Sequence, residues 1–362
     1  MDMKSLLKQL VEIESPSHDK AAVDRVGIFV ADEALKYGAD VEVISNRTTG
    51  DHVVARWGSG ENGILLLCHM DTVFPLGTLK SMPYREADGK IYGPGTLDMK
   101  AGIVICLAAL EELQKSGRLN RPVTLLCTSD EEIGSSTSRK YIEEYAKESA
   151  LVLVMEAALL DGSLKTWRKG VGGFRVHVKG VAAHAGGDHE KGRNAIEEMA
   201  HQVLAIQKMT DYKRQTTLNV GVMNGGTVSN VIPEEAFAEV DIRVMQPGEW
   251  ERIEAEMKNL KPVLDGTTLK ITGGLNRPPM PFDETMKATF EKAKSIAAGI
   301  GMELKAGGTG GASDGNFVAP FGIPVLDGMG AIGEGYHSER EYIFADSLEQ
   351  RRDLLITLLM NW

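Results

Sequence analysis

Acidic and imidazole side chains directly follow three apolar segments of this sequence. The apolar segments are Ile64–Cys68, Pro122–Cys127 and Leu151–Met155. The polar residues that follow them, in chain order, are His69 with Asp71, Asp130 with Glu131 and Glu132, and Glu156. Such apolar runs are typical of strands buried on both faces, and the carboxyl ends of parallel strands meet at one edge of a sheet. Several carboxylates at one edge are costly unless cations neutralise them, so the pattern indicates a metal site.

Two residues elsewhere in the chain extend this candidate ligand set. Asp98 follows the glycine-rich stretch Gly93-Pro94-Gly95. Taken alone, it is typical of an acid at the start of a helix. His337 lies in a loop before the last helix and supplies the second imidazole that a mixed site needs. The metal-ligand candidates are therefore His69, Asp98, Glu132, Glu156 and His337.

These candidates suit a site with two metal ions. Two zinc ions that share one bridging carboxylate would each have one histidine, one terminal carboxylate and the bridge. Each ion would then keep an open position for water or substrate, as a catalytic site requires. The mixture of nitrogen and oxygen donors favours Zn²⁺, two per subunit, with Co²⁺ or Mn²⁺ as substitutes.

The motifs that carry these residues resemble those of the M20 (glutamate carboxypeptidase-like) metallopeptidases. The matching motifs are His69-Met70-Asp71-Thr72-Val73, Gly93-Pro94-Gly95-Thr96-Leu97-Asp98-Met99-Lys100, Asp130-Glu131-Glu132-Ile133-Gly134-Ser135 and the loop that holds His337. A single His-x-Asp or Glu-Glu pair is weak evidence, but the ordered set matches over nearly the whole chain. The resemblance implies that metal-activated water cleaves the amide bond next to a free C-terminal carboxylate, in a small peptide or an N-acyl amino acid.

The resemblance also implies a role for each metal ligand. Asp98 would bridge the two ions, and the peptide bond that follows it would be cis. His69 and Glu156 would complete one metal site. Glu132 and His337 would complete the other.

Two acids beside the ligands have catalytic roles by the same resemblance. Glu131 would be the general base, and Asp71 would orient the ring of His69. The spacing agrees, because residues two positions apart in an extended chain point to the same side and a metal-bound imidazole needs an acceptor on its other nitrogen. Glu131 cannot share the direction of its neighbour Glu132, so it can take a proton from water instead.

Four residues in the middle of the chain match the family's substrate-contacting positions. His184 lies in a small-residue motif that resembles the one around an oxyanion-stabilising histidine. Asn230 resembles the family's lid asparagine, and Arg277 resembles the arginine that holds the substrate carboxylate. Arg243 falls at the family's strand arginine, but its spacing also fits an ion pair within its own strand, to Asp241 or Glu239.

The elements that position these residues are expected to form two domains, since 362 residues exceed one ordinary hydrophobic core. Alternating strands and helices up to Glu156 indicate an α/β fold with a mainly parallel sheet. Strands with alternating polarity, around a helix at Asn194–Lys208, indicate an inserted α+β domain. We therefore expect a zinc-peptidase-type catalytic domain at 1–169 and 279–362. The family resemblance implies that 170–278 is a ferredoxin-like lid and dimerisation domain, and so a homodimer.

Composition and charge indicate which classes of binding partner are excluded. A formal net charge of -11 and the lack of a basic run argue against nucleic acid. The N-terminus shows no secretory signal pattern, and no segment has the ~18 apolar residues of a membrane span, so we expect a cytoplasmic protein without membrane attachment. The three cysteines each lie in an apolar run and are expected to be reduced core thiols.

Three alternatives remain at this stage. The first is a dinucleotide-binding oxidoreductase, which the lack of a GxGxxG motif and the acidic strand ends disfavour. The second is a zinc-binding protein without catalysis, which Glu131 and the open metal positions disfavour. The third, within the same family, is an N-acyl-amino-acid deacylase or dipeptidase. The run Gly307–Gly311 lacks the Lys-Ser/Thr ending of a phosphate loop, so we expect a loop that lines the substrate pocket.

Overall fold

The chain forms two compact units. A computed structural model describes residues 2–362. The first unit comprises Met1–Arg168, Met280–Thr309 and Ser313–Trp362, and the second comprises Lys169–Pro279 and Gly310–Ala312. The middle segment is one residue longer at each end than the sequence-based domain at 170–278, and the sequence did not separate Gly310–Ala312.

The regular elements of residues 2–362 are as follows. The helices are α1 (Met3–Val11), α2 (Lys20–Lys36), α3 (Ala101–Lys115), α4 (Arg139–Lys147), α5 (Ala195–Gln207), α6 (Glu249–Lys258), α7 (Glu284–Ala298) and α8 (Ser347–Asn361). The strands are β1 (Asp40–Ile44), β2 (His52–Trp57), β3 (Gly63–His69), β4 (Arg85–Ala87), β5 (Lys90–Tyr92), β6 (Val123–Thr128), β7 (Ser149–Val154), β8 (Leu164–Arg168), β9 (Gly170–Lys179), β10 (Ala183–His184), β11 (Thr217–Gly225), β12 (Val231–Ile232), β13 (Glu235–Val244), β14 (Thr268–Arg277), β15 (Ala306–Thr309), β16 (Val325–Leu326), β17 (Gly333–Glu334) and β18 (Tyr342–Phe344).

The first unit is built on a six-stranded sheet with the order β1-β2-β6-β3-β7-β16. Strand β3 runs parallel to both β6 and β7, and β16 runs parallel to β7. Strands β1 and β2 are antiparallel additions at one edge. The mainly parallel sheet expected from the sequence is confirmed, whereas the antiparallel edge did not follow from the sequence patterns.

The apolar runs of the sequence form the core of this sheet. Ile64–Cys68 is buried throughout because β3 has strands on both sides and helices over its faces. Helix α3 packs against β3 and α8 and is buried along nearly its whole length. Gly102 permits this packing, since a Cβ there would lie 2.2 Å from the carbonyl oxygen of Met155. All three cysteines are buried and reduced.

The glycine-rich segment near residue 308 differs from the expected loop. Ala306–Thr309 forms β15, which pairs in parallel with β8. A Cβ on Gly308 would lie 2.2 Å from the ring of Trp167, so glycine is needed for the two strands to approach. The sequence prediction of a loop over the whole run was wrong because glycine can mark close backbone approach as well as a turn.

The second unit has an antiparallel sheet with the order β11-β13-β9-β14. Apart from the short strands β10 and β12, its elements follow the chain order β9-α5-β11-β13-α6-β14. Inward-facing residues of β9 and β13 alternate with exposed ones and form a separate apolar core with the two helices. Helix α5 begins one residue after the predicted start because the Asn194 side chain accepts hydrogen bonds from the first turn.

The helices of residues 2–362 include none that combines the length and apolarity needed to cross a bilayer.

Candidate metal centre

Two groups of potential metal ligands meet at one carboxylate in the first unit. His69, Asp98 and Glu156 form one group, and Asp98, Glu132 and His337 form the other. The Nε2 atom of His69 lies 3.0 Å from Oδ1 of Asp98, and the Nε2 atom of His337 lies 3.2 Å from Oδ2 of the same side chain. Each oxygen of Asp98 therefore faces a different histidine, which is the arrangement of a bridging carboxylate.

The remaining acids lie on opposite sides of this bridge. Glu156 Oε1 is 3.4 Å from His69 Nε2, and Glu132 Oε2 is 3.3 Å from His337 Nε2. Each histidine thus faces two carboxylates. The five ligand candidates named from the sequence are brought together as two overlapping sites.

Strand ends and turns deliver these side chains. His69 is the last residue of β3, Glu132 lies in a short turn after β6, and Glu156 lies two residues beyond β7. Asp98 lies in a tight turn before α3, and its peptide bond to the next residue is cis, as the family resemblance implied. His337 has a φ of 55° in the loop after β17.

Asp71 links His69 to the Glu131–Glu132 turn. It is fully buried, and its Oδ1 lies 3.5 Å from His69 Nδ1. That ring nitrogen is nearer to the main-chain oxygen of Asp71, at 2.9 Å. The Asp71 carboxylate also accepts hydrogen bonds from the backbone N–H groups of Glu131 and Glu132, both at 3.2 Å, and from Ser17 Oγ at 2.7 Å. Asp71 therefore contacts the imidazole mainly through its main-chain oxygen, with its carboxylate slightly farther away, and holds the acidic turn with its carboxylate.

The electrostatics of the cluster favour added positive charge. Burial opposes protonation of His69, but the carboxylates of Asp71, Asp98 and Glu156 raise its pKa well above the ordinary value. Hydrogen bonds with Asp98 and Glu132 raise the pKa of His337 to about 10. Burial raises the pKa of Glu132 to about 7. The acids hold protons on the imidazoles, and divalent cations would compete for the same positions.

The donor set fits a pair of divalent metal ions. The Oε1 atom of Glu132 is buried and has no hydrogen-bond partner among residues 2–362, which is unusual for a carboxylate oxygen. A cation at this position would satisfy that atom. Two imidazoles and three carboxylates are donors that zinc commonly takes.

In the second unit, His184 and Asn230 lie side by side. His184 pairs with Val231 in the β10–β12 ladder, and the main-chain oxygen of Asn230 accepts a hydrogen bond from the N–H of Ala185. The Nδ1 atom of His184 accepts hydrogen bonds from the N–H groups of Gly186 and Gly187, at 3.1 and 3.0 Å. A neutral His184 ring therefore carries its proton on Nε2, ready to donate outward.

The two arginines of this unit differ in their contacts. Arg243 forms a bidentate ion pair with Asp241, at 2.8 and 2.9 Å, which is the in-strand pairing considered from the sequence. Arg277 is buried at the end of β14, where its NH1 donates to Asn276 Oδ1 at 2.9 Å. The geometry therefore gives Arg243 a structural partner of its own.

Comparison with known proteins identifies the family. The family model described as Peptidase family M20/M25/M40 matches residues 65–361. The chain belongs to the M20 peptidase family. It is therefore a metallopeptidase, and the sequence-based identification of its family and enzyme class is confirmed.

This M20 peptidase is similar to enzymes of more than one named activity. Carboxypeptidase G2 of Pseudomonas sp. (strain RS-16) is 32% identical over 98% of this chain and 88% of the relative. Acetylornithine deacetylase of Proteus mirabilis is 26% identical over 99% of this chain and 96% of the relative. A metallo-carboxypeptidase of the M20 family from Sulfolobus solfataricus shares the fold, with a TM-score of 0.80 at 17% identity over 100% of this chain and 99% of that one.

One buried acid of this M20 peptidase escaped the sequence reasoning. Glu341 is fully buried, and its carboxylate accepts backbone hydrogen bonds from Leu97 at 2.6 Å, Asp98 at 3.1 Å and Gly95 at 3.3 Å. It thereby holds the turn that presents Asp98. Glu341 lies only four residues after His337, a proximity that could have drawn attention to it.

Proposed function

We propose that this M20 peptidase is a di-zinc carboxypeptidase that cleaves the amide bond next to a free C-terminal carboxylate, in the manner of a glutamate carboxypeptidase. The observation that carries the proposal is the pair of ligand groups that share Asp98, with one oxygen directed to each histidine. The likeness to carboxypeptidase G2 over 98% of the chain supports the choice of substrate bond.

The chain's own residues would divide the work of hydrolysis. His69, Asp98, Glu132, Glu156 and His337 would hold the two ions. When bound, zinc supplies Lewis acidity that polarises the scissile carbonyl and makes water a better nucleophile. Glu131 would accept the proton of the attacking water and return it to the leaving amine. Asp71 would keep His69 in its ligating orientation through the ring nitrogen that faces away from Asp98.

The second unit would supply substrate contacts. His184, with its proton on Nε2, is suited to donate a hydrogen bond to the oxyanion that forms as water adds to the carbonyl. Arg277 would pair with the substrate carboxylate, because a guanidinium matches that group with two hydrogen bonds. Asn230, beside His184, would contact the substrate from the same surface. Arg243 would stay with Asp241.

The second unit would also serve as the lid and dimerisation domain of a homodimer. Strand β11 lies at an edge of its sheet, and within residues 2–362 no strand pairs with its outer side. Val222 and Met223 on this strand are 43% and 51% exposed. An edge strand with exposed apolar side chains is covered most simply by the same strand of a second copy.

A deacylase or dipeptidase of the same family is the second candidate. The similarity to acetylornithine deacetylase over 99% of the chain favours it. A screen of dipeptides, N-acyl amino acids and folate-type glutamates for released amino acid separates the two candidates. Preferred release of C-terminal glutamate supports the first, and preferred release of a short acyl group supports the second.

The metal content of the enzyme and the role of Glu131 as general base can be tested in one set of experiments. Active enzyme should contain two zinc ions per chain by elemental analysis, and chelators should abolish its activity. Glu131→Gln should retain both ions but lower kcat by about 10²- to 10⁴-fold, the range for a positioned general base. Glu61→Gln, at an exposed loop acid, is the matched control. A single tightly bound ion in active enzyme argues against the shared site, and normal turnover of Glu131→Gln moves the base elsewhere.

A further inference from the structure

Arg351 is a buried arginine without an acidic partner. It lies in α8 and is only 3% exposed. Its Nη2 donates a hydrogen bond to the main-chain oxygen of Gly162 at 2.6 Å. Among residues 2–362, no carboxylate oxygen lies within 4.0 Å of its guanidinium nitrogens. Arginine is almost never fully buried unless it is paired, and its guanidinium group offers five donors.

Arg168 shows how the same unit compensates another buried guanidinium group. It is also 3% exposed, but its Nε and Nη2 donate to the two oxygens of Asp327 at 2.6 and 2.8 Å. Burial lowers the pKa of Arg351 to about 10, and no acid of the described chain opposes this effect. Arg351 is still protonated at neutral pH. It is therefore a buried cation that lacks the anion given to Arg168.

The remaining donors of Arg351 face a cavity of about 470 Å³. Within the described chain, no nitrogen of Arg351 is both sealed from solvent and unpaired, so the donors that Gly162 leaves unused are open to this cavity. The cavity lies in the first unit, and none of the proposed metal ligands lines it. Its volume falls in the range of about 300–1,000 Å³ that is typical of small-molecule sites.

Part of the cavity wall is apolar. Met302, Leu304 and Ile332 line it, and Leu304 is only 3% exposed. Ile300 also lines the cavity and is 47% exposed. A ligand whose anionic end reaches Arg351 would therefore bury an apolar group against this wall.

The exposed part of the cavity carries negative charge as well as positive charge. Asp161, Glu303 and Lys305 line it and are exposed. Hydrogen bonds from Ser163 lower the pKa of Asp161, which keeps this acid ionised. The two acids would repel a dianion such as phosphate. A monocarboxylate that also carries an ammonium group, in contrast, finds a partner for each of its charges.

We propose that this cavity binds a free α-amino acid with an apolar side chain. The α-carboxylate pairs with Arg351, because a guanidinium group matches a carboxylate with two hydrogen bonds. The ammonium group faces Asp161 and Glu303, and the side chain covers the apolar wall. The site is additional to the metal centre, and the inference does not rest on the proposed function.

The first test locates the ligand. Crystals of the zinc-loaded enzyme are soaked with L-selenomethionine, whose selenium gives an anomalous signal. We expect a selenium peak in the cavity, with the carboxylate of the ligand on Arg351. A peak at the metal centre alone, or no peak at all, overturns the inference. Inorganic phosphate seated on Arg351 in a parallel soak, without selenomethionine in the other, also overturns it.

The second test measures what the site recognises, by calorimetric titration of the zinc-loaded enzyme. L-methionine should bind more tightly than L-methioninamide, which lacks the carboxylate. Arg351→Met should lower the affinity of this site for L-methionine by about 10- to 100-fold, the loss of hydrogen bonds to a charged group. Arg47→Met removes the same charge from an exposed loop and should bind L-methionine as the wild type does. Turnover in the absence of methionine should be unchanged in both variants.

A purely structural arginine gives a different pattern. If Arg351 only holds the main chain at Gly162, Arg351→Met lowers the thermal midpoint and leaves the binding of L-methionine unchanged, which overturns the inference. Equal affinity of the wild-type enzyme for L-methionine and L-methioninamide overturns it too, whether or not any variant folds. An enzyme that hydrolyses no peptide or N-acyl amino acid refutes the proposed function but leaves both binding tests intact.

Discussion

Replacing Asp71 by asparagine tests how the buried carboxylate organises the metal centre. The carboxylate accepts two backbone hydrogen bonds from the acidic turn, at Glu131 and Glu132, and one from Ser17. Asparagine has nearly the same shape but only one acceptor oxygen. Its NH2 group replaces one of the two acceptor oxygens. In either orientation of the amide, a backbone N–H of the turn then faces this NH2 group and loses its acceptor.

The size of the effect follows from these contacts. A hydrogen bond to a charged group contributes about 1.5–3 kcal/mol, and a buried donor left without a partner costs about 1–3 kcal/mol. We therefore expect Asp71→Asn to lower the free energy of unfolding by about 2–4 kcal/mol. Because the carboxylate also supports the metal-ligating ring of His69, affinity for metal should fall by about 10- to 100-fold.

The measurements are metal affinity, by competition with a chromophoric chelator, and the free energy of unfolding of the metal-free protein. Ser17→Ala is the matched control, since it removes one neutral donor to Asp71 and leaves the charge in place. It should cost about 0.5–1.5 kcal/mol and leave metal affinity nearly unchanged. Wild-type metal affinity and turnover in Asp71→Asn would refute the positioning role, and so would equal effects of the two variants.

Three other predictions concern the surrounding residues. Glu341→Ala should weaken metal binding by about 10- to 100-fold, because the turn that presents Asp98 loses a buried acceptor. Glu341→Gln keeps one acceptor oxygen and should lose less affinity. Unchanged metal affinity of both variants in a chelator titration would contradict this prediction. Arg277→Ala should lower kcat/KM most for substrates with a free terminal carboxylate, whereas an equal loss on the amidated substrate would make the arginine structural. His184→Ala should lower kcat, because the loss of an oxyanion donor raises the activation free energy by ~3–4 kcal/mol. If His184 acts on the partner's site, heterodimers of the His184→Ala and Glu131→Gln chains should regain activity. If activity does not recover after subunit exchange has been confirmed, His184 acts on the metal centre of its own chain or has no catalytic role.

The strand positions show what local sequence patterns can predict. Apolar runs such as Ile64–Cys68 determine buried strands, and the strands found at β3, β6 and β7 begin and end within two residues of the predicted ones. The antiparallel edge of β1 and β2 was not predicted, because the direction in which two strands pair depends on the connections between them and not on their own residue patterns. Residues 307–309 were assigned to a loop from their glycine content, although the facing ring of Trp167 makes glycine necessary in a strand.

The sequence by itself determined which residue types could bind metal and their order along the chain. His69, Asp98 and His337 could be identified as ligand candidates because an acid or imidazole that follows a buried strand or lies in a glycine-rich turn is costly without a functional or structural role. Only the tertiary structure decided that the two oxygens of Asp98 face different histidines, since this depends on segments more than 200 residues apart in the chain meeting at one point. The burial of Glu341 was likewise decided by tertiary packing. A charged residue in a sequence looks the same whether water or the fold surrounds it, and only the structure shows that it is buried and which groups compensate its charge.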